Sequence, residues 1–361
     1  MARYLPRETL MLRIRYTFAA VLASAVTAAI AADAPARGVA YVSNQQGAVS
    51  VLNLDTLEVG ATLDVAAKGP RGIGITADGK WLVTANMNDA NISVIDTASG
   101  ALLRHVPIGK NPEFVRVLGQ HAFVTFEPQS HPPGAGGKPE VKDAKGGEDE
   151  DKTPGHIAVV DLADGKLLLD IVGKPETEGV EIAAGGTQLL VTNESDNSIS
   201  VLDLATGRML RNVPVGQYGN RPRGIKVSPD GHTIVTTLEL AGKLLVFDEQ
   251  FTLVKEVPTG KTPYGVAFDR AGKRLFVASN KDKLLQVFDT ATWEKIKDIP
   301  TGDRCWHFSF TPDDRQVLVA CGKSNEVVVV DAQTLEVSKR IGNLAAPWGI
   351  VTYPKSMGSI D

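Results

Sequence analysis

Arginine, glutamate and aromatic residues recur at one position of a repeated Pro-x-Gly pattern. The prolines of this pattern are Pro70, Pro222, Pro263 and Pro347. The position after the proline, followed through the whole sequence, holds Arg71, Glu113, Glu178, Arg223, Tyr264, Trp306 and Trp348. Charged groups orient a bound small molecule and aromatic walls bury its surface, so these residue types together favour a ligand site. The alternative is that the charges only pair with one another while the aromatic rings pack on neighbouring elements.

His307 follows Trp306 at the place where most copies of the pattern have glycine. It is therefore the best single candidate for an axial ligand or an acid/base group, although a packed histidine would satisfy the same pattern. His131 and His156 flank an acidic segment whose carboxylates could complete a divalent metal site, but their spacing matches no known ligand motif. We predict no catalytic residue, no metal site and no cofactor from these patterns.

Two cysteines, Cys305 and Cys321, are predicted to lie on adjacent antiparallel strands. Counting outward from the turn at residues 312–315 places Cys305 within one residue of facing Cys321. A disulfide can therefore form in an oxidising compartment, although cross-strand geometry is restrictive and two free thiols are the alternative. The spacing fits neither a zinc knuckle nor a Cys-x-x-Cys redox motif, and the sequence has no Cys-x-x-Cys-His haem attachment site.

Signatures of common enzyme classes are absent from the sequence. It contains no Gly-x-Ser-x-Gly elbow, no Walker loop and no dinucleotide-binding fingerprint after a strand. The formal net charge is −4 for 361 residues, and it becomes −7 when residues 1–31, with four arginines and one glutamate, are left out. An acidic chain without a basic run does not attract a phosphate backbone, so no nucleic-acid partner is expected.

A repeat organises the elements that must position these side chains. Its anchor is an apolar-x-apolar-Asp pattern, found at Asn53, Asp96, Asp161, Asp203, Asp248, Asp289 and Asp331. The successive gaps are 43, 65, 42, 45, 41 and 42 residues. Each unit holds four short β-type runs separated by turns, and a four-stranded repeat of this length is typical of a β-propeller blade. The sequence therefore predicts an all-β, seven-bladed β-propeller with four-stranded antiparallel blades.

The ends of the repeat array predict how the blades close into a circle. Residues 347–353 match a first strand with no further strand after it, whereas residues 39–65 supply a second, third and fourth strand without a first. One C-terminal strand is therefore expected to join three N-terminal strands, which removes an open sheet edge.

The first strands of a propeller line its central channel, so the seven residues of the Pro-x-Gly position are expected to meet near one mouth. We call these seven residues the ring. Three positions further along, Arg116, Glu181 and Lys226 occupy equivalent places in consecutive blades. We expect them to form an ion-pair ladder along the channel, where an unpaired charge would be costly.

Residues 1–31 have the pattern of a signal peptide. Arg13 and Arg15 precede an apolar stretch at 16–30, which ends in small residues suited to cleavage. The stretch is short for a membrane span and is followed at once by Asp33 and Pro35. We therefore expect a propeller of residues 32–361 that lies in the periplasm as a monomer without a membrane anchor.

The one long gap contains an insertion at about residues 127–154, between a second and a third strand. The insertion is rich in Gly, Pro, Lys and acids, and it has almost no apolar residues with which to fold. We expect a flexible loop on the mouth side of its blade. It would act there as a lid or a partner contact, or else be a solvated loop without a role.

Short motifs in the second strands carry a family resemblance. The copies at 41–44, 83–86, 190–193 and 277–280, of which the first reads Tyr-Val-Ser-Asn, resemble the YVTN repeat. The chain is similar to the exported YVTN propellers, and within them to the group associated with pyrroloquinoline quinone-dependent alcohol catabolism. The resemblance implies a periplasmic propeller with a supporting role near quinoprotein dehydrogenases. It does not imply an activity, because propellers host many unrelated functions.

These observations favour a non-catalytic binding or scaffold propeller whose partner is a periplasmic protein or a small molecule. The rival interpretation is a channel-mouth enzyme or cofactor carrier, either a metal-dependent, lactonase-like hydrolase or a haem d1-type binder that uses His307 or a histidine of the insertion. A hydrolase of this kind needs several carboxylate or Asn ligands near the axis, and only Glu113 and Glu178 are well placed.

Overall fold

Turns capped by aspartate divide the chain into short antiparallel strands. The computed structural model describes residues 37–127 and 152–360. Each anchor of the repeat ends the third strand of a sheet. Asp96, for example, accepts hydrogen bonds from the amide and the hydroxyl of Ser99 at 2.8 and 2.7 Å. An Asx turn of this kind directs the chain into the fourth strand of the sheet.

The strands form seven four-stranded antiparallel sheets, which we number as blades in chain order. Blade 1 begins with β1 (Val39–Asn44), β2 (Val49–Asn53) and β3 (Glu58–Leu63). Blade 2 contains β4 (Pro70–Ile75), β5 (Trp81–Asn86), β6 (Asn91–Asp96) and β7 (Leu102–Pro107). Blade 3 contains β8 (Val115–Leu118), β9 (His121–Phe126), β10 (Pro154–Asp161) and β11 (Leu167–Pro175). Blade 4 contains β12 (Thr177–Ala183), a 3₁₀ turn (Ala184–Gly186), β13 (Gln188–Asn193), β14 (Ser198–Asp203) and β15 (Met209–Pro214).

The remaining blades follow the same plan. Blade 5 contains β16 (Pro222–Val227), β17 (Thr233–Leu238), β18 (Lys243–Asp248) and β19 (Leu253–Pro258). Blade 6 contains β20 (Pro263–Phe268), β21 (Arg274–Ser279), β22 (Leu284–Asp289) and β23 (Lys295–Pro300). Blade 7 contains β24 (Cys305–Phe310), β25 (Gln316–Cys321), β26 (Glu326–Asp331) and β27 (Glu336–Ile341), and β28 (Pro347–Tyr353) then completes blade 1.

The predicted closure of the circle is confirmed by the pairing of the two ends of the chain. In blade 1, Val39 of β1 faces Tyr353 of β28 on one side and Asn53 of β2 on the other. The predicted all-β fold of seven blades is likewise confirmed. The predicted signal peptide at residues 1–31 and most of the insertion lie outside the described residues. Among the described residues, no helix is long and apolar enough to cross a bilayer.

The hydrophobic core lies between the faces of neighbouring blades. Second and third strands bury both of their faces, as in β26, where the four consecutive valines 327–330 are fully buried. The fourth strands are largely exposed, and in β27 every second side chain is exposed. Burial therefore decreases from the inner strands to the rim, because inner strands have neighbours on both sides while each fourth strand forms the rim.

A hydroxyl relay connects adjacent blades at the channel. The amide of Gly179 donates to Oγ1 of Thr192 at 2.8 Å, and this hydroxyl donates to the carbonyl oxygen of Arg223 in the next blade at 2.8 Å. The relay recurs in three further blades through Ser43, Thr125 and Thr237. Each acceptor is the carbonyl of a ring residue. The hydroxyl residue of the YVTN-like motif thus satisfies a buried amide and joins two blades at once.

Glycine after the ring residue lets the blades approach closely. A Cβ on Gly72 would lie 2.3 Å from the carbonyl oxygen of Glu113 in the next blade, and the Gly72 amide donates to that same oxygen at 2.8 Å. Gly224 stands equally close to the carbonyl of Tyr264. The Pro-x-Gly pattern is therefore a packing requirement of the channel wall.

The described chain continues past the last predicted strand. The sequence pattern ends at Tyr353, and we expected no strand after it, but residues 354–360 turn back and run antiparallel to β24 inside the channel. Ser309 of β24 forms an isolated bridge with Gly358, and Ile360 is fully buried. This segment carries no periodic signal, which is why sequence patterning missed it.

Gly72→Ala should destabilise the fold because the new methyl group meets backbone atoms that cannot rotate away. We expect the free energy of unfolding, measured by urea titration, to fall by about 1–3 kcal/mol. Gly60→Ala on the exposed strand β3 is the matched control, since nothing lies within 4 Å of its Cβ. The control should be neutral or stabilising by up to about 1 kcal/mol. Equal stabilities for the two variants would contradict the close approach of blades 2 and 3.

Candidate functional site

The ring residues lie at the end of the channel where the innermost strands begin, which we call the mouth. Glu113 lies two residues before β8, and each of the other six is the second residue of its strand, in β4, β12, β16, β20, β24 and β28. The structure does not leave them as one open circle of free groups. It divides them into a cluster around Arg223, an ion pair at Arg71 and a group of aromatic rings beside His307.

The Arg223 cluster joins three consecutive blades. Nη1 of Arg223 lies 3.1 Å from Oε1 of Glu178, and the hydroxyl of Tyr264 donates to the same carboxylate oxygen at 2.6 Å. The Arg223 guanidinium carbon also lies 4.8 Å from the centre of the Tyr264 ring. Glu178 and Tyr264 are only 4% and 6% exposed. Ion pairing and a cation–π contact therefore hold these three side chains in one buried arrangement.

Three members of this cluster were missed by the sequence analysis. Nε of Arg223 donates to Oε2 of Glu239 at 2.6 Å, and its Nη1 pairs with Glu194. Nε of Arg221 donates to Glu194 at 2.9 Å. Glu194 and Glu239 each follow directly after the second strand of a blade, so both occupy the same position of the sequence repeat. Following that position around the propeller, as was done for the ring, would have found both glutamates.

Burial and charge set the protonation states in this cluster. Burial alone would lower the pKa of Arg223, but Tyr264 and the carboxylates of Glu178 and Glu239 raise it overall. Burial and the neighbouring Glu178 raise the pKa of Tyr264, against the opposing effect of Arg223. At neutral pH the cluster therefore holds a cationic Arg223 and a Tyr264 that acts as a hydrogen-bond donor.

Arg71 forms a second, less saturated ion pair. Its Nη1 pairs with Oε1 of Glu113. Its Nε is buried and has no hydrogen-bond partner among the residues that the structure describes. Burial lowers the pKa of Arg71, and the positive charges of Arg223 and Arg304 act in the same direction, against Tyr264 and Glu178. An additional hydrogen-bond acceptor near this side chain would give Nε a partner, and if it were negatively charged it would also raise the pKa of Arg71.

Trp306 is held in place by a disulfide and covered by a cation. Cys305, the residue before it, faces Cys321 directly in the strand register, and the two are joined by a disulfide. The bond ties the start of β24 to the end of β25 at the mouth. The guanidinium carbon of Arg304 lies 5.0 Å from the Trp306 ring centre. Arg304 is exposed and has no acidic partner within residues 37–127 and 152–360.

His307 lies beneath the ring and is not an exposed acid/base group. It is 1% exposed, and its ring centre lies 4.3 Å from that of Trp348, 5.4 Å from that of Tyr264 and 5.5 Å from that of Phe114. Nδ1 is 3.1 Å from the hydroxyl of Ser359, whereas the buried Nε2 has no hydrogen-bond partner in the described part of the chain. Burial lowers the pKa of His307 from 6.5 to about 3, so the imidazole is neutral at physiological pH.

The predicted ion-pair ladder is present lower in the channel. Nη2 of Arg116 lies 2.5 Å from one carboxylate oxygen of Glu181, and Nζ of Lys226 lies 3.0 Å from the other. Burial alone would raise the pKa of Glu181, but Arg116 and Lys226 lower it overall. The carboxylate therefore stays ionised and joins blades 3, 4 and 5 across the channel wall.

The histidines around the insertion do not form a described metal site. Nδ1 of His156 lies 2.6 Å from Oδ1 of Asp170 on the outer strand β11, and His131 lies outside the described residues. Over residues 37–127 and 152–360, no group of three or more His, Cys, Asp and Glu side chains is placed to hold a metal ion.

Charge is distributed unevenly across the mouth. The Arg223 cluster sets the cations Arg221 and Arg223 against three glutamates, so it carries one excess negative charge. Among the ion pairs of the described residues, Arg71 is matched by Glu113, whereas Arg304 has no acidic partner and covers the Trp306 ring. These three charged groups carry one excess positive charge. This part of the mouth is chemically suited to the anionic group of a ligand that also carries an apolar, planar part.

His307→Asn should make the free energy of unfolding fall less steeply as the pH is lowered below 6.5. The unfolded chain takes up a proton near pH 6.5 whereas folded His307 does so only near pH 3, so the folded state loses stability as pH falls through this range. Between pH 6.5 and 5 the loss for the wild type should exceed that for the variant by about 1.6 kcal/mol, measured by urea unfolding.

His232→Gln is the matched control with the opposite sign. The hydrogen bond and charge of Glu249 raise the pKa of the exposed His232, so its contribution is present below its unfolded-state pKa and is lost as pH rises. The His232→Gln variant should therefore lose free energy of unfolding slightly more steeply than the wild type as the pH falls. Identical profiles for the wild type and His307→Asn would contradict the burial of a neutral imidazole.

Comparison with known proteins supports the fold and leaves the activity open. A family model of YNCE-like β-propellers matches residues 267–357. Among curated proteins, none matches the chain significantly in sequence. A functionally unknown protein from Desulfotomaculum acetoxidans is similar in structure, with a TM-score of 0.71 at 16% identity over 87% of this chain and 98% of that one.

Two further solved structures share the fold. Kuenenia stuttgartiensis hydrazine synthase superimposes with a TM-score of 0.68 at 18% identity, over 83% of this chain and 94% of that one. The dihydro-haem d1 dehydrogenase NirN matches with a TM-score of 0.61 at 18% identity, over 86% of this chain and 65% of that one. At these identities the likeness is one of fold. The chain is a seven-bladed β-propeller whose residues 267–357 match the YNCE-like propellers.

Proposed function

We propose that the protein is a non-catalytic binding propeller, exported to the periplasm, that uses its mouth to hold the anionic group of a small molecule or protein partner. The observation that carries this proposal is the uneven charge of the mouth. Arg71 pairs with Glu113, whereas Arg304 covers the indole of Trp306 without an acidic partner among the described residues. The buried Nε of Arg71 has no partner among the described residues and is a ready donor to such an anion.

The state of the other ring residues favours binding over catalysis. Glu178 accepts hydrogen bonds or ion pairs from both Tyr264 and Arg223, and Arg223 itself contacts three carboxylates. A general base or a metal ligand must have an oxygen available to substrate or ion. In the Arg223 cluster these oxygens are engaged within the protein, so the cluster supports the mouth as a rigid frame.

Export and biological context form the second part of the proposal. A disulfide at the mouth suits an oxidising compartment. The resemblance to YVTN propellers of quinone-linked alcohol catabolism supports, within this proposal, an anionic partner from quinoprotein oxidation. Planar aromatic carboxylates, among them pyrroloquinoline quinone itself, have the chemistry that two guanidinium groups and the indole of Trp306 would recognise.

Arg71→Gln combined with Arg304→Gln should weaken binding of an anionic probe to the mouth. We expect wild-type protein to bind pyrroloquinoline quinone, with benzoate as the smaller probe, in isothermal titration calorimetry. Loss of one charged hydrogen bond costs about 1.5–3 kcal/mol, so the double variant should bind at least about 10-fold more weakly. Raising the salt concentration should also weaken binding of the probe to the wild-type protein, because salt screens the attraction between the arginines and the anion.

Arg340→Gln provides the matched control for this experiment. Arg340 lies on the outer strand β27 and pairs with Glu326 at 2.9 Å, so its loss removes one positive charge, and an ion pair, from the rim instead of the channel wall. Arg223 is unsuitable as a test residue, because its removal would leave three carboxylates without their cation. Equal affinities for the double variant and the control, or no binding of either probe to the wild type, would contradict the proposal.

A cofactor carrier or lactonase-like enzyme is the second candidate, and one observation favours it. The buried Nε2 of His307 has no partner among the described residues and stands among three aromatic rings. Visible absorption or bound metal in protein purified from its own periplasm, lost in His307→Asn, would favour this candidate. A colourless, metal-free protein that is inert toward lactones favours the binding propeller.

A further inference from the structure

Residues 354–360 occupy the channel as an added strand on the inner edge of β24. The amide of Phe310 donates to the carbonyl of Met357 at 2.8 Å, and the amide of Ser359 donates to the carbonyl of Phe308 at 2.9 Å. Ser309 and Gly358 form an antiparallel bridge between these two bonds. An inner propeller strand normally has a free edge toward the channel. In blade 7 that edge is used, so this sheet binds one extended segment more than its neighbours do.

The channel wall is shaped for this segment. A Cβ on Gly265 would lie 3.0 Å from the side chain of Ser359, and a Cβ on Gly349 would lie 2.7 Å from Cδ1 of Ile360. At the level where blades 3, 4 and 5 carry Arg116, Glu181 and Lys226, blade 7 has only Ser309. Small residues on one side of the channel thus leave a groove, and charged residues face it from the other side.

The last residues of the segment are its most deeply buried part. Ile360 is fully buried, and its carbonyl accepts a hydrogen bond from Nη1 of Arg116 at 3.0 Å. The hydroxyl of Ser359 accepts from the amide of Phe308 at 2.9 Å and contacts Nδ1 of His307.

The residues before Gly358 are only partly buried and are held chiefly by side-chain contacts. Lys355 donates to the carbonyl of Val117 at 3.3 Å, Ser356 donates to that of Thr311 at 3.1 Å, and Met357 packs on the core beside β24. The backbone of the segment makes two hydrogen bonds to β24, whereas full ladders join the strands within the blades.

We propose that the inner edge of β24 is a strand-binding groove and that residues 354–360 are its detachable occupant, a plug carried in cis. The plug closes the channel below His307 and sets the orientation of that imidazole through Ser359. Its release opens a groove for an extended segment with small residues before one aliphatic residue, as in Met357-Gly358-Ser359-Ile360. The same release gives His307 access to solvent from the face opposite the mouth.

Ser359→Pro in the full-length chain tests the plug directly. The change removes the amide that bonds Phe308 and the hydroxyl that contacts His307, so the plug should detach while the blades keep their ladders. Modification of His307 by diethyl pyrocarbonate, mapped by mass spectrometry, should become at least about 10-fold faster, as burial no longer shields the imidazole. The exposed His232 serves as an internal control and should react at the same rate in both proteins.

A synthetic peptide of residues 355–361 completes the experiment. Added to the Ser359→Pro protein, it should return the His307 modification rate to the wild-type value, whereas the same peptide carrying Ser359→Pro should have no effect. The proposal is overturned if His307 remains protected in the variant, or if the wild-type peptide gives no protection. These outcomes are independent of anion binding at the mouth, which is measured separately.

Native-state hydrogen exchange gives a second measurement that needs no variant. The amides of Phe308 and Phe310, which face the plug, should exchange through an opening that occurs far more often than global unfolding. The amide of Val319 in the central strand β25 should exchange only with global unfolding. Exchange of all three amides at the global rate would overturn the proposal even if Ser359→Pro fails to fold.

Discussion

The close contact of neighbouring blades at the channel is the constraint on which the rest of the structure depends. A glycine amide, a hydroxyl of the second strand and the carbonyl of a ring residue in the next blade form one relay, seen clearly at Gly179, Thr192 and Arg223. The relay satisfies polar groups that would otherwise be buried without partners. It also brings successive ring residues within reach of one another. Side chains at the mouth therefore interact across blades because their backbones are joined there first.

The charges at the mouth have two roles. Around Arg223, cation and carboxylates are buried together and hold blades 4, 5 and 6 in one arrangement. Such a network has little capacity to bind a further charge, since its groups already compensate one another. Arg71 pairs with Glu113 and keeps a buried Nε without a partner among the described residues, and Arg304 covers the Trp306 ring. A rigid frame beside donors that are still available is what a preorganised binding site requires.

His307 connects the mouth to the channel below it. Glycine occupies this position in five of the blades, and the only other side chain there, Phe114, contacts His307 at 5.5 Å between ring centres. Two large rings thus fill the space that the glycines leave open. Beneath them, residues 354–360 supply Ser359 to one nitrogen of the imidazole. The floor of the mouth is therefore made of groups from distant parts of the chain.

The sequence by itself determined the number of blades, their four strands, the closure between β1 and β28, and the position of Cys305 to within one residue of facing Cys321. Each of these follows from local turn chemistry repeated at a constant period, which is visible without knowing any long-range distance. The positions of the ring residues also followed from the period. Whether they would remain free or form pairs did not, because pairing depends on side-chain reach between blades. Tertiary structure alone decided that Glu194 and Glu239 surround Arg223, that His307 is buried and neutral, and that residues 354–360 fill the channel. Those outcomes depend on contacts between segments far apart in sequence, and on a segment with no period of its own.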